Sequence, residues 1–300
     1  SIFDFVLPGL LGNDNHFNQV YRKPIEKHGD AERAHALKSR IAPFMLRRTK
    51  AQVASELPEK TEIVQLLELE SDQRNLYESI RLVMETKVRE LFVQKGVAAS
   101  QIQFLDALLK LRQACCDARL VPVEHARSVQ SNAKLQWLRD TLPEMLEEGR
   151  NILLFSQFAS MLTLIEDELQ AMDISYSKLT GQTKHRQQQI DAFQNGETRV
   201  FLISLKAGGT GLNLTAADTV IHYDPWWNPA AEAQATDRAH RIGQQKAVFV
   251  YKLIASNTVE QKVQLLQQHK RQLADQLFAG GKGQPWQGKA DDLLQLFSTD

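Results

Sequence analysis

From Ala133 onward, short apolar runs alternate with amphipathic stretches, and that alternation leaves few folds open. Lys134–Glu148, Met161–Met172 and Lys184–Gln194 space their apolar residues for one helical face. Ile152–Phe155, Tyr176–Leu179 and runs at 200, 219 and 248 are of strand type. Helix and strand taken in turn predict an α/β fold, a parallel sheet covered by helices on both faces. In such sheets the ligand-binding loops leave the carboxyl ends of the strands, so the motif loops described below are expected at that edge.

Three segments of this region carry chemistry. Val200–Ser204 ends in a loop containing Gly208, Gly209 and Gly211, and clustered glycines let backbone amides approach a phosphate or sugar closely. The run Val220–Tyr223 leads into the turn-rich Asp224–Pro229, with adjacent tryptophans. Gln234–Gln244 reads as helical, with Arg238 and Arg241 three residues apart and therefore on one face. Two permanently charged forks aimed at one spot suit a triphosphate being cleaved. A solvated basic face has the same spacing and a tight connection the same glycines; the order of the three segments favours the phosphate reading.

Residues 1–60 mix turns with a basic cluster at Arg47, Arg48 and Lys50. A strand-like run at Ile63–Leu69 follows, then helical spacing at Leu76, Ile80 and Val83 and at Leu105, Leu108 and Leu111. The 300 residues, 43% of them hydrophobic, suffice for a substantial core. Formal net charge is zero, so any contact with DNA must come from a local patch. Cys115 and Cys116 are adjacent and not expected to pair, which reads as a reduced, intracellular chain. No stretch is long and apolar enough for a membrane span, and Ser1 in place of a starting Met reads as a piece of a longer chain.

These segments together resemble the closing motifs of the Swi/Snf family of helicase-like ATPases, in helicase superfamily two. Ser204–Thr215 (SLKAGGTGLNLT) is similar to the family's fifth motif, Asp224–Pro229 (DPWWNP) to its tryptophan-bearing extension, and Gln234–Gln244 to its sixth motif. Asn151–Phe158 (NILLFSQF) resembles the fourth motif, and Tyr176–Thr183 fits the following Y-x-x-L-x-G-x-T. Upstream, Phe5–Gly12, Phe44–Lys50 (FMLRRTK) and Leu57–Glu62 (LPEKTE) continue the likeness. One departure is Cys116-Asp117-Ala118, where the family has Asn-His-Pro after the cysteine.

The resemblance implies a RecA-like lobe. Residues 1–60 would be the connector from a first lobe, 61–132 a helical protrusion, 133–257 the second lobe, and 258–300 a brace helix and tail. It implies that Arg238 and Arg241 act as arginine fingers, with Gln234 setting their geometry, and that Gly209, Gly211 and Asn213 line the ribose and phosphates of ATP. Gln157, Ser204 and Thr210 would grip DNA phosphates, and Trp227 would press on the tracked strand, leaving Trp226 to the core. No G-x-x-x-x-G-K-[ST] loop and no magnesium-binding Asp-Glu pair after a strand occurs, so no metal site is expected here. The phosphate loop and Mg2+ ligands would sit on the first RecA-like lobe of the same polypeptide, and this chain alone would be nearly inactive. The implied function is ATP-driven translocation on double-stranded DNA that remodels a DNA-bound protein complex. Compact motif spacing suggests a bacterial, cytoplasmic, nucleoid-associated protein with no membrane contact. A strand-separating helicase lobe and a non-catalytic interaction module are the alternatives.

Overall fold

The computed structural model describes residues 2–44, 57–96, 98–208, 211–226, 228–265 and 294–298. These fall into two compact units, 2–44 on one side and 57–265 with 294–298 on the other.

The first unit is helical: α1 (Ile2–Val6), α2 (Asp14–Phe17), α3 (Lys23–His28) and α4 (Ala31–Ile41). Side-chain oxygens start two of them. Asn13 accepts from the His16 amide ahead of α2 at 2.8 Å, and Asp30 from the Arg33 amide ahead of α4 at 3.0 Å. Gly29, at φ 62°, supplies the left-handed residue that ends α3.

The second unit is built on a six-stranded, wholly parallel sheet in the order β1-β6-β5-β2-β4-β3. The strands are β1 (Lys60–Leu67), β2 (Ile152–Ser156), β3 (Tyr176–Leu179), β4 (Val200–Ser204), β5 (Thr219–His222) and β6 (Val248–Ala255). The α/β fold expected from the alternation is therefore present. β1, the strand at the head of the helical stretch, is an edge strand of this sheet and runs beside β6 from Lys60↔Val248 to Leu67↔Ala255.

Every residue of β2, β4 and β5 is buried, because helices cover both faces. Ile152 and Leu154 pack with Leu135, Leu138 and Leu142 of α7 (Ala133–Glu147) and with Met161, Leu162, Ile165 and Leu169 of α8 (Ala159–Ala171). Leu153 and Phe155 point the other way, onto Phe193 of α9 (Arg186–Gln194) and Ala235 of a helix described below. Period-two side-chain direction makes the two cores separate.

Between β1 and α7 lie α5 (Ser71–Lys95) and α6 (Gln101–Cys116), which pack together through Leu76, Tyr77, Ile80, Val88, Phe104, Leu108 and Leu111. Val83 and Leu105, expected on the inner faces, are instead exposed. The buried stripe of α5 runs through Tyr77, Met84 and Val88, about 100° round the helix from Val83. At the departure from the family pattern, Asp117 starts a short 3-10 turn, its carboxylate accepting from Arg119 N at 2.8 Å and from Asn132 Nδ2 at 2.5 Å. Both cysteines are free and buried. Thr258 caps the next helical run, 259–265, its hydroxyl accepting from Glu260 N at 3.2 Å.

Candidate functional site

At the carboxyl edge, β2 and β4 end side by side with Ser156 and Ser204 in register. Ser204 is buried, and a single helical turn, α10 (Leu205–Gly208), starts directly after it. Gly211 takes φ +30° with open space where a side chain would project, which suits close approach of a ligand to the backbone. Asn213 is exposed, and its carbonyl accepts from Gln194 Nε2 at 3.3 Å. Gly209, Thr210 and Trp227 lie outside the described residues, as do Arg47, Arg48 and Lys50.

The end of β5 is tied to the end of β2. Asp224 is buried, and both its carboxylate oxygens accept from the Gln157 amide at 3.2 Å. Burial pushes the Asp224 carboxyl upward, and Arg112 of α6 is the strongest of the groups that hold it down. The Gln157 Nε2 atom is buried without a hydrogen-bond partner among the described residues. Trp226 packs on the core under its loop while its amide donates to Glu232 Oε2 at 3.2 Å.

The chain then turns back through α11 (Pro229–Thr236), capped by Asn228 Oδ1, which accepts from Ala230 N at 3.0 Å. Gln234 is exposed on this helix. The helix stops at Thr236, so the reading of Gln234–Gln244 as one helix does not hold, and Arg238 and Arg241 do not share a helical face. Donors from outside the helical ladder explain the stop. The carbonyl of Arg238 accepts from Leu214 N at 3.0 Å and that of Ala239 from Gln244 Nε2 at 3.1 Å, which are acceptors a continuing helix would use itself. The segment is instead a run of turns, with i to i−3 bonds from the Arg238 and Ala239 amides, closed by Gly243 at φ 101°.

This segment ends at the amino edge of the sheet, away from the carboxyl edge where it was expected. Gln244 is buried, and its Nε2 donates to the carbonyls of Ala217 at 2.6 Å and Thr215 at 3.1 Å, on the stretch leading into β5. Arg238 is 8% exposed with its Nη1 3.5 Å from the Leu212 carbonyl, whereas Arg241 is exposed. Burial, and next the charge of Arg241, pull the Arg238 pKa down. The neighbouring Asp237 carboxylate acts in the opposite direction and partly offsets the positive charge there.

Two charge networks support these loops, one fully buried and one partly exposed, and neither was visible in the sequence. Lys134 Nζ bonds Glu260 at 2.7 Å with both side chains fully buried, and also donates to the Tyr223 carbonyl at 2.9 Å. Burial opposes the Lys134 charge, but Glu260 beside it leaves its pKa raised overall. Lys252 bridges Glu232 at 2.7 Å and Glu62 at 3.1 Å, fixing α11 to β6 and β1. His222 adds an Nε2 contact with the Thr236 hydroxyl at 2.9 Å.

The family comparisons agree with this geometry. The SNF2-related domain matches residues 1–120 and the helicase conserved C-terminal domain residues 133–243. The chain belongs to the Swi/Snf family. Its sheet is the RecA-like sheet of a Swi/Snf second lobe: the SWI2/SNF2 ATPase core domain of Sulfolobus solfataricus superposes with TM-score 0.64 at 31% identity, covering 98% of this chain and 60% of that one. The same core in complex with dsDNA gives 0.61 at 33% identity, over 94% and 59%. An uncharacterized ATP-dependent helicase of Mycoplasma pneumoniae is 39% identical over 99% of this chain, which spans 28% of that protein. Among the described residues no helix is long and apolar enough to cross a membrane, and no cluster of three or more His, Cys, Asp or Glu could hold a metal ion.

Proposed function

We propose that this chain is the second ATPase lobe of a DNA-dependent, ATP-driven translocase that moves on double-stranded DNA and remodels protein–DNA complexes. The observation that carries the reading is an exposed Arg241 on the same turn segment as Arg238, whose carbonyl is bonded to the glycine-loop segment at Leu214. Phosphoryl transfer needs positioning and positive charge more than covalent groups, and a guanidinium supplied from a second lobe meets that need. Arg241 and Arg238 stabilise charge on the transferring phosphoryl, Gln234 orients them, and Gly209, Gly211 and Asn213 border the ribose and phosphates. The guanidinium pair suits the anionic end of ATP and not a cation, so Mg2+ belongs with the phosphate loop on the first lobe.

Gln157, Ser204 and Thr210 hold phosphate oxygens of the duplex, and Trp227 stacks on the tracked strand. ATP favours the closed arrangement of two lobes, and hydrolysis releases it, which shifts the phosphate grip along one strand. Residues 1–60 connect to the first lobe, the helical part of 61–132 protrudes while its opening strand β1 joins 133–257 in the catalytic lobe, and 258–300 brace it. The protein acts in the bacterial cytoplasm, on the nucleoid.

The test uses the parent two-lobed protein. Duplex DNA should stimulate its ATP hydrolysis, and it should displace a third strand from a triplex without separating the duplex. Duplex unwinding in place of triplex displacement, or hydrolysis indifferent to DNA, would contradict the reading.

A further inference from the structure

Arg112 lies in α6, the second helix of the helical stretch between β1 and α7, and is 9% exposed. Its guanidinium crosses to the end of the sheet, where Nη2 donates to the Pro225 carbonyl, one residue beyond Asp224. Asp224 in turn receives the Gln157 amide at 3.2 Å on both carboxylate oxygens. A single buried cation from the helical stretch therefore holds the loop after β5, and Asp224 of that loop holds the loop after β2.

Both partners need each other. A buried carboxylate without a counter-charge is costly, and so is a buried guanidinium without an acceptor. Arg112 satisfies the Pro225 carbonyl, one residue from Asp224, with a directed bond that the planar fork of an arginine makes better than a point charge, and its charge acts on that carboxylate at longer range. Lys134 and Glu260 lie behind the same loop at Tyr223, but their charges are largely spent on each other.

We propose that Arg112 is a positioning residue through which the helical stretch sets the two loops that grip DNA. The proposal rests on the DNA reading above. It is independent of the arginines at 238 and 241.

The experiment uses the parent enzyme with Arg112→Ala, Arg112→Lys and a control, Leu108→Ala, which removes a buried side chain from the same helix. Arg112→Ala should raise the DNA concentration for half-maximal ATP hydrolysis by about tenfold, the scale of one lost charge-assisted hydrogen bond, and leave KM for ATP within about twofold. Arg112→Lys should recover part of that loss, since it restores the charge and one donor but not the planar fork. Leu108→Ala should lower Tm without moving the DNA constant. Amide exchange at Gln157 and Trp226 should speed up in Arg112→Ala and not in Leu108→Ala. Should Arg112→Ala fail to fold, Arg112→Gln keeps a donor without the charge and should raise the DNA constant about threefold or more. An unchanged DNA constant in the folded Arg112 variant, or an equal change in Leu108→Ala, overturns the proposal. A wild-type enzyme that ignores DNA sinks the functional reading instead, and the exchange rates then still decide whether Arg112 fixes the loops.

Discussion

The amide of Leu214 donates to the carbonyl of Arg238 at 3.0 Å, which joins the segment after the glycine turn to the segment that carries the arginines. The two motifs are therefore one backbone object, and a change in either is felt in the other. Gln244 completes the joint through carbonyls on both sides, those of Thr215 and Ala217 and that of Ala239.

Gln244→Leu should destabilise the sheet-bearing unit by roughly 1–3 kcal/mol, because it strands buried carbonyls. Gln244→Glu should cost at least as much, since a carboxylate faces those same oxygens. Urea unfolding of the three proteins decides the point, and a midpoint unchanged in either variant would show that the joint is held elsewhere.

The Lys134–Glu260 pair predicts strong non-additivity. Lys134→Met alone leaves a buried carboxylate and should cost about 3–5 kcal/mol, whereas Lys134→Met with Glu260→Leu should cost clearly less than the two single changes summed. A double-mutant cycle by denaturant unfolding measures the coupling. Additive losses would mean that the pair is not an ion pair in solution.

Much of the fold was legible because β2, β4 and β5 are buried throughout, and strands buried on both faces leave short, mostly apolar runs between the amphipathic helices. The strand at Ile63–Leu69 was also legible, but its partner was not. β1 pairs with β6, far along the chain, and no local pattern encodes that choice. The same reason hides Lys134 and Glu260, which are 126 residues apart. The sixth motif was misread as helix because its local propensity is helical, while the distant Leu214 amide and the side chain of Gln244 take the carbonyls that a helix would use. Ser204 and Gln157 were found at strand ends as expected, while the link from Gln157 through Asp224 to Arg112 needed coordinates.

His222 makes stability fall in acid. Burial pushes its pKa down to about 4 from an ordinary 6.5, and its ring stacks on Phe155 at 5.6 Å. The unfolded chain takes up this proton near the ordinary value and the folded chain only near the lower one, so between them the unfolded state binds more protons. Stability contributed by His222 is complete above about pH 7, is lost as pH falls through that window, and levels off below it. Between pH 8 and pH 5 the loss is about 2 kcal/mol. Urea midpoints across that interval should fall less for His222→Gln than for wild type, and equal slopes would contradict the assignment.

The central claim is that Arg241 reaches the phosphates of an ATP held by the first lobe. Arg241→Ala in the parent enzyme should lower DNA-stimulated kcat by about 10³ or more, with Tm little changed because the side chain is exposed. Arg241→Lys should recover little of the rate, since a point charge does not replace the planar fork. Single-turnover hydrolysis at saturating ATP and duplex DNA is the direct measurement. A rate for Arg241→Ala within a few-fold of wild type would contradict the account.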